Sequence, residues 1–257
     1  MSVRYDIDDE ICTITIDRPE VRNAVDGPTA IALREALDRF EADDSLKVAV
    51  LTGAGGTFCA GADLASVAEP QRAPHLDPTG EGAGPMGPYR RHLTKPLIAA
   101  VAGHAVAGGL ELALLADLRV VEEDAVFGVF CRRWGVPLID GGTVRLPRIV
   151  GQGRALDLIL TGRPVNAHEA LQIGLANRVV PTGASLQAAH ELAEQIAAFP
   201  QGCMLADREA VYRQWDLPTA EAFAAEGREG IPWVHAEGTA GAARFAGGAG
   251  RHGTFGG

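Results

Sequence analysis

In the first half of the chain, apolar residues recur either at every second position, as in strands, or at helical spacing, and these two spacings predict its strands and helices. Residues 11–16 (ICTITI) are rich in β-branched side chains and predict a strand. Between residues 28 and 40 the apolar residues recur at helical spacing, and Pro28 suits a first helical turn. Three further apolar runs predict strands, at residues 47–51, 97–101 and 118–121. Because helices separate these strands, the pattern predicts an α/β core of repeated crossover units.

Helical patterns dominate from Gly151 onward, at residues 152–160, 167–173, 184–198, 202–215 and 218–227. We therefore predict a core over residues 1–200 and a helical C-terminal region over residues 201–257. Residues 70–88 are rich in Pro, Gly and charged residues. This composition predicts a mobile surface loop of the core region rather than a domain boundary.

The stretch from Pro96 to Val121 is the most hydrophobic of the chain, but it contains His104, Glu111 and Asp117. Acidic residues are costly at the centre of a membrane helix, so we interpret this stretch as a buried core. Within it we expect a helix over residues 110–115, a packed histidine at position 104 and an aspartate at position 117 that fixes a turn.

The charge of the chain indicates which binding partners to expect, and its cysteines indicate the cellular compartment. The 257 residues carry 33 acidic and 23 basic side chains, a net charge of −10, which argues against binding to nucleic acid or to an anionic membrane. The N-terminus has no apolar signal segment, and the four cysteines are scattered, so we expect a cytoplasmic protein. No His, Asp, Glu or Cys cluster has the spacing of metal ligands, so we predict no metal.

Two glycine-centred loops, residues 58–64 (FCAGADL) and 105–112 (AVAGGLEL), each follow a predicted strand and precede a helix. Such loops leave backbone N–H groups free where a helix dipole is positive, and two donors aimed at one point stabilise an oxyanion. The alternative is that the glycines only permit tight turns. The dinucleotide fingerprint Gly-x-Gly-x-x-Gly, the Walker A lysine and the hydrolase motif Gly-x-Ser-x-Gly do not occur.

Several segments, in order and spread over residues 10–181, resemble the crotonase, or enoyl-CoA hydratase/isomerase, superfamily. They are RPEVRNA (18–24), VAVLTG (48–53), FCAGADL (58–64), KPLIAAVAG (95–103), AGGLELA (107–113) and LTGR (160–163).

This resemblance implies a spiral of ββα turns with a helical C-terminal lobe, an acyl-CoA substrate and no separate cofactor. It implies that the C-terminal region forms a homotrimer or a dimer of trimers. By position, the oxyanion hole falls on the backbone N–H groups of Ala62 and Gly108. The contacts with coenzyme A and substrate fall on Arg22, Ala24, Ala60, Asp63 and Leu64. From the residues alone, Arg22 could equally be a solvated turn arginine.

The acid and base residues depart from the family pattern. Glu111 matches the first of two glutamates that family hydratases use, whereas the position of the second, twenty residues on, is Cys131. Cys131 either lines the acyl pocket as a small residue or acts as a nucleophile whose thiolate Arg132 and Arg133 favour. Asp140 is the nearby carboxylate, and it either pairs with Glu111 in proton transfer or caps the following helix.

We therefore predict a lyase that stabilises a thioester enolate, most simply an enoyl-CoA hydratase or isomerase with Glu111 and Asp140 as the catalytic pair. Two alternatives stay open at this point. The first is another crotonase reaction, such as double-bond isomerisation or hydrolysis, that uses Asp140. The second is a catalytically silent homologue that binds acyl-CoA.

Overall fold

The computed structural model describes residues 2–88 and 92–250. Within these residues the chain divides into two compact units, which separate between Ile196 and Ala197, close to the boundary predicted after residue 200. Residues 251–257 of the predicted C-terminal region lie outside the described residues.

A six-stranded sheet organises the first unit, with the strand order β1-β2-β3-β4-β6-β9. Its strands are β1 (Val3–Asp8), β2 (Ile11–Ile16), β3 (Val48–Gly53), β4 (Leu97–Val101), β6 (Leu118–Glu122) and β9 (Arg178–Val180). β1 pairs with β2 in antiparallel fashion, and every later neighbour is parallel. Both β2 and β4 are buried along their whole length. β4 is a continuous apolar run, as strands covered on both faces are, whereas β2 also buries Thr13 and Thr15.

A second sheet contains three short strands, β5 (His104–Val106), β7 (Val126–Gly128) and β8 (Val165–Asn166), in the order β5-β7-β8. The helices of the first unit are α1 (Gly27–Ala42), α2 (Gly108–Leu115), α3 (Gly142–Val150), α4 (Gln152–Thr161), α5 (Ala167–Gln172) and α6 (Ser185–Ala197), which ends one residue past the division. Short 3₁₀ turns occur at Pro19–Val21, Leu64–Ala68 and Phe130–Trp134.

Helix α1 shows how local sequence fixes an element boundary. Asp26 precedes the helix, and its side chain accepts a hydrogen bond of 3.0 Å from Thr29 N, as an N-cap residue does. The buried face of α1 contains Leu33, Leu37 and Phe40, at the spacing that the sequence shows.

The second unit is helical, with α7 (Gln201–Arg213), a 3₁₀ turn at Gln214–Asp216, α8 (Thr219–Trp233), a π-helical turn at Val234–Gly238 and α9 (Thr239–Ala246). Glu237 accepts hydrogen bonds from Gly202 N (3.0 Å) and Cys203 N (2.9 Å), so its carboxylate satisfies the first turn of α7.

The predicted α/β class is confirmed, and so are the predicted strands and helices, with ends that differ by a few residues. The stretch from Pro96 to Val121 forms β4, β5, α2 and most of β6. None of the helices in residues 2–88 and 92–250 has both the length and the apolar character that a membrane span requires.

Two sequence predictions are wrong. His104 is exposed rather than packed, because the first residue of β5 faces solvent. Residues 70–88 are not a surface loop throughout, because residues 84–88 are buried and Met86 is only 1% exposed. Asp117 binds a distant backbone group rather than a local turn in the bond observed, since its Oδ2 accepts a hydrogen bond of 2.8 Å from Leu97 N at the start of β4.

Candidate active site

The two glycine-centred loops lie side by side. Cys59 of the first loop forms a parallel bridge with Ala105 of β5, through hydrogen bonds from Cys59 N to His104 O (2.9 Å) and from Val106 N to Cys59 O (3.1 Å). A methyl group on Gly61 would lie 3.0 Å from Gly108 N, and one on Gly109 would lie 2.1 Å from Cys59 O. Glycine at these positions therefore lets the loops approach closely, which goes beyond permitting a turn.

Both predicted oxyanion donors line one cavity of about 460 Å³. Ala62 and Gly108 stand on facing loops, and within residues 2–88 and 92–250 neither backbone N–H donates to another protein group. Gly108 is the first residue of α2, where the helix leaves N–H groups unpaired and partially positive. The cavity therefore offers two backbone donors to an anionic or polarised oxygen.

Glu111 lies one turn into α2, and its side chain reaches the same cavity. The residue is 2% exposed, and its Oε1 accepts hydrogen bonds from Asp140 N (2.9 Å) and Gly142 N (2.8 Å). Burial, together with the negative charge of Asp140, raises the pKa of Glu111 to about 7, against the lowering effect of the two N–H donors. A carboxyl group with this pKa exchanges protons readily near neutral pH.

Asp140 lines the cavity beside Glu111 and is 4% exposed. Its Oδ1 accepts a hydrogen bond of 2.9 Å from Met86 N. The alternative role as a cap of α3 is wrong, because Gly141 is the N-cap of that helix and no side chain caps it there. Instead, the Glu111 carboxylate accepts a hydrogen bond from the first N–H of α3. Both acidic residues therefore lie at the start of this helix.

Cys131 also lines the cavity, in the 3₁₀ turn Phe130–Trp134. Burial raises the pKa of its thiol, and the negative charge of Glu111 raises it as well. The positive charge of Arg132 lowers this pKa, but the net effect is an increase. A raised pKa disfavours the thiolate that the nucleophile hypothesis requires. The guanidinium of Arg133 stacks on the Phe130 ring at 4.0 Å.

The residues expected to contact coenzyme A are divided between the cavity and its surroundings. Ala60 and Leu64 line the cavity, whereas Arg22, Ala24 and Asp63 do not. Arg22 is exposed with a left-handed backbone (φ 54°), and its carbonyl accepts a hydrogen bond of 3.0 Å from Ala60 N.

Asp63 is held in a buried ion-pair cluster. Its Oδ2 lies 3.0 Å from the guanidinium groups of both Arg18 and Arg72, and only 7% of the side chain is exposed. The backbone of Asp63 is paired too, since its N–H donates to Val25 O (2.9 Å) and its carbonyl accepts from Ser66 N (3.0 Å).

Sequence reasoning missed the apolar wall of the cavity. Leu76, Met86, Phe130, Trp134 and Ile139 line it, and Leu76 and Met86 come from the segment predicted as a surface loop. The turn residues of GPMG (84–87) gave a local signal, but no pattern in the sequence indicated their burial. His75 is exposed and is not among the lining residues, although Ala73, Pro74 and Leu76 are.

Among residues 2–88 and 92–250 no group of three or more His, Cys, Asp or Glu side chains is arranged to hold a metal ion. The lining of the cavity includes the two loop residues Ala62 and Gly108, the carboxylates of Glu111 and Asp140, and the Cys131 thiol with its raised pKa.

Comparison with known proteins gives a consistent result. The family model described as enoyl-CoA hydratase/isomerase matches residues 6–235. The chain is 39% identical over 227 residues to the enoyl-CoA hydratase EchA19 of Mycobacterium tuberculosis, covering 85% of this chain and 83% of that protein. It is 42% identical over 190 residues to a carnitinyl-CoA dehydratase of Proteus mirabilis, covering 73% and 71%.

Solved structures agree with the sequence matches. An enoyl-CoA hydratase from M. tuberculosis H37Rv superposes with a TM-score of 0.88 at 37% identity, over 95% of both chains. With this fold and these sequence matches, the chain belongs to the enoyl-CoA hydratase/isomerase family and is an acyl-CoA enzyme of the crotonase type.

Proposed function

We propose that this enzyme adds water across the α,β double bond of an enoyl-CoA, and catalyses the reverse dehydration, with Glu111 and Asp140 as the acid and base. The observation that supports this most directly is the Glu111 carboxyl group, buried beside Asp140 with its pKa raised to about 7. An acid with such a pKa both gives and takes a proton at neutral pH.

In the proposed reaction the N–H groups of Ala62 and Gly108 bind the thioester oxygen. They stabilise the negative charge that develops on this oxygen when a nucleophile adds to the β carbon. One carboxylate takes a proton from water while the water oxygen bonds to the β carbon. The other residue of the pair, in its protonated form, donates a proton to the α carbon. The net change is the addition of one water molecule, and the enzyme returns to its starting charge.

Asp140 replaces the second glutamate in this scheme. Cys131 stands at the position of that glutamate and does not supply an ionised base, because its thiol pKa is raised. Asp140 approaches Glu111 from the start of α3 and interacts with it electrostatically. The same pair would also serve double-bond isomerisation, in which a proton is removed from one carbon and returned to another.

Contacts with coenzyme A, some in the cavity and some outside it, complete the proposal. Arg22 and Ala24, with Ala60, Asp63 and Leu64, bind the coenzyme A part of the substrate, which is the only nucleotide required, and no further cofactor takes part. The cysteines described are free, and three of the four are buried, which supports a reducing cytoplasmic location. We further propose that the second unit assembles the chain into a trimer or a dimer of trimers.

The proposal is tested by exchange of the α proton of butyryl-CoA in D₂O, together with hydration of crotonyl-CoA. Exchange reports enolate formation even when no water adds. We expect Glu111→Gln to lower both rates by roughly 100-fold or more, as loss of general acid–base catalysis does. We expect Asp140→Asn to abolish hydration while the affinity for butyryl-CoA stays unchanged.

Glu123→Gln is the matched control, because Glu123 is exposed and is not among the residues that line the cavity. Exchange without hydration in the unaltered enzyme would replace hydration by isomerisation or another enolate reaction. Binding of butyryl-CoA with neither activity would identify a catalytically silent homologue. Unchanged kinetics in Asp140→Asn would remove Asp140 from the reaction.

A further inference from the structure

A tight turn brings Met86 into the cavity. Gly87 N donates a hydrogen bond of 2.8 Å to Gly84 O, which closes a four-residue turn with Pro85 and Met86 at its centre. Gly87 has a φ of +99°, and a methyl group on it would lie 2.2 Å from Ala30 O in α1. The turn therefore rests directly on the backbone of α1, and only glycine fits there.

Both the backbone and the side chain of Met86 are held in place. Its N–H donates to Asp140 Oδ1 at 2.9 Å, and the residue is 1% exposed. A methyl group on Gly108 would lie 2.7 Å from Met86 Sδ and 3.0 Å from both Cγ and Cε. Three side-chain atoms of Met86 thus cover the Cα of Gly108, the residue whose N–H is the second oxyanion donor.

This position determines what can stand next to the thioester carbonyl. An oxygen bound to Gly108 N lies about 2.9 Å from that nitrogen, and the carbonyl carbon and α carbon follow one and two bonds beyond it. The Met86 side chain therefore borders the space that the α carbon and its substituents occupy. Because interiors are close-packed, an added methyl group in such a space must displace a neighbour.

We propose that Met86 is a specificity-determining residue that restricts the enzyme to acyl groups without a branch at the α carbon. The role of Met86 rests on the proposed function, because it requires the thioester oxygen to bind at Gly108 N–H. Methionine is flexible, but contact through Cγ, Sδ and Cε, together with the backbone hydrogen bond to Asp140, limits the directions in which it can retreat.

The test compares the affinities of two isomers, butyryl-CoA and isobutyryl-CoA, by isothermal titration calorimetry. The two acyl groups contain the same atoms and differ only in the branch at the α carbon. We expect the unaltered enzyme to bind butyryl-CoA at least about tenfold more tightly, the lower end of what one misplaced methyl group costs in a pocket. We expect Met86→Ala to reduce this preference to less than about twofold.

Met86→Leu is the matched control, because leucine has a similar volume and should keep the preference. Met86→Val is the second shortened variant, and its intermediate preference is read if the alanine variant does not fold. Circular dichroism and the melting temperature establish that each variant is folded before its affinities are compared.

The outcomes separate this role from the proposed function. A preference of less than twofold in the unaltered enzyme, or one that both shortened variants keep, would overturn the role of Met86. Loss of the preference on shortening supports it, even if the enzyme shows no hydration of crotonyl-CoA. If the unaltered enzyme binds neither isomer, the proposed function and the role of Met86 fail together.

Discussion

At the scale of single residues, the behaviour of the site depends on one buried acid. Glu111 belongs to an apolar helix and is almost without solvent, so its ionised form loses hydration that two backbone N–H groups only partly replace. The neighbouring Asp140 carboxylate adds repulsion. The same burial that makes Glu111 reactive near neutral pH must therefore weaken the folded state when Glu111 is ionised.

The free energy of unfolding should show this dependence. The pKa of Glu111 is raised from 4.5 to about 7, so its contribution is fully present below pH 4.5 and is lost as pH rises through 7. Glu111→Gln cannot ionise, so relative to the unaltered protein we expect this variant to gain up to about 3 kcal/mol between pH 4.5 and 8. Urea unfolding of both proteins at several pH values measures the difference. A difference that does not change with pH would show that the burial of Glu111 does not perturb its pKa.

At the scale of elements, the start of α2 combines the proposed oxyanion loop with a strained residue. Ala107 has φ 53° and ψ −125°, a conformation that favours glycine, and its N–H donates to Gly128 O at 2.8 Å. This strained residue directly precedes Gly108, the first residue of α2 and one of the residues that line the cavity. The backbone conformation of Ala107 therefore lowers the stability of the folded protein at a residue next to the cavity.

Ala107→Gly should relieve this strain. Such backbone conformations cost roughly 1–3 kcal/mol for a residue with a Cβ, against up to about 1 kcal/mol for the added freedom of glycine in the unfolded chain. We therefore expect a net stabilisation of about 1 kcal/mol in chemical denaturation. Ala113→Gly, in the middle of the same helix, is the control and should destabilise the protein. Equal destabilisation by both changes would contradict the assignment of strain to Ala107.

Elements differ in how far the sequence could predict them. β4 was predictable because burial on both faces leaves an uninterrupted apolar run, and β2 because its alternating residues are mostly β-branched. β1 was missed because most of its residues are exposed and polar, and β8 because two residues carry no period. These strands are defined by pairing with distant partners rather than by their own residues.

The site shows the same division. Glu111 was predictable because an acid inside an apolar run is unusual, and the two loops were predictable from their glycines. The burial of Met86 was not predictable, because Gly87 of its turn packs on α1 and Met86 itself contacts Gly108 and Asp140, which are far away in the chain. The raised pKa of Cys131 likewise depends on burial and on the approach of Glu111 in three dimensions.

At the scale of the whole molecule, the second unit exposes several large apolar side chains. Val211 (64%), Trp215 (52%) and Phe223 (70%) line one groove between α7 and α8, and Phe245 of α9 is 67% exposed. Contiguous exposed apolar patches mark interaction surfaces. Closed rings of identical chains are a common way to cover such patches, which fits the trimer that the sequence resemblance implies.

Assembly can be tested without disturbing the first unit. Light scattering should give the mass of three or six chains for the unaltered protein. Phe223→Glu places a charge on the exposed apolar groove of the second unit, so burial of that groove between chains would become costly, and the measured mass should fall toward that of one chain. Ala224→Glu adds the same charge to the next residue of α8, which is exposed but does not line the groove, and it should leave the mass unchanged.

A single-chain mass for the unaltered protein would mean that the groove is not a contact between chains. A trimer that Phe223→Glu leaves intact would assign the contact to another surface.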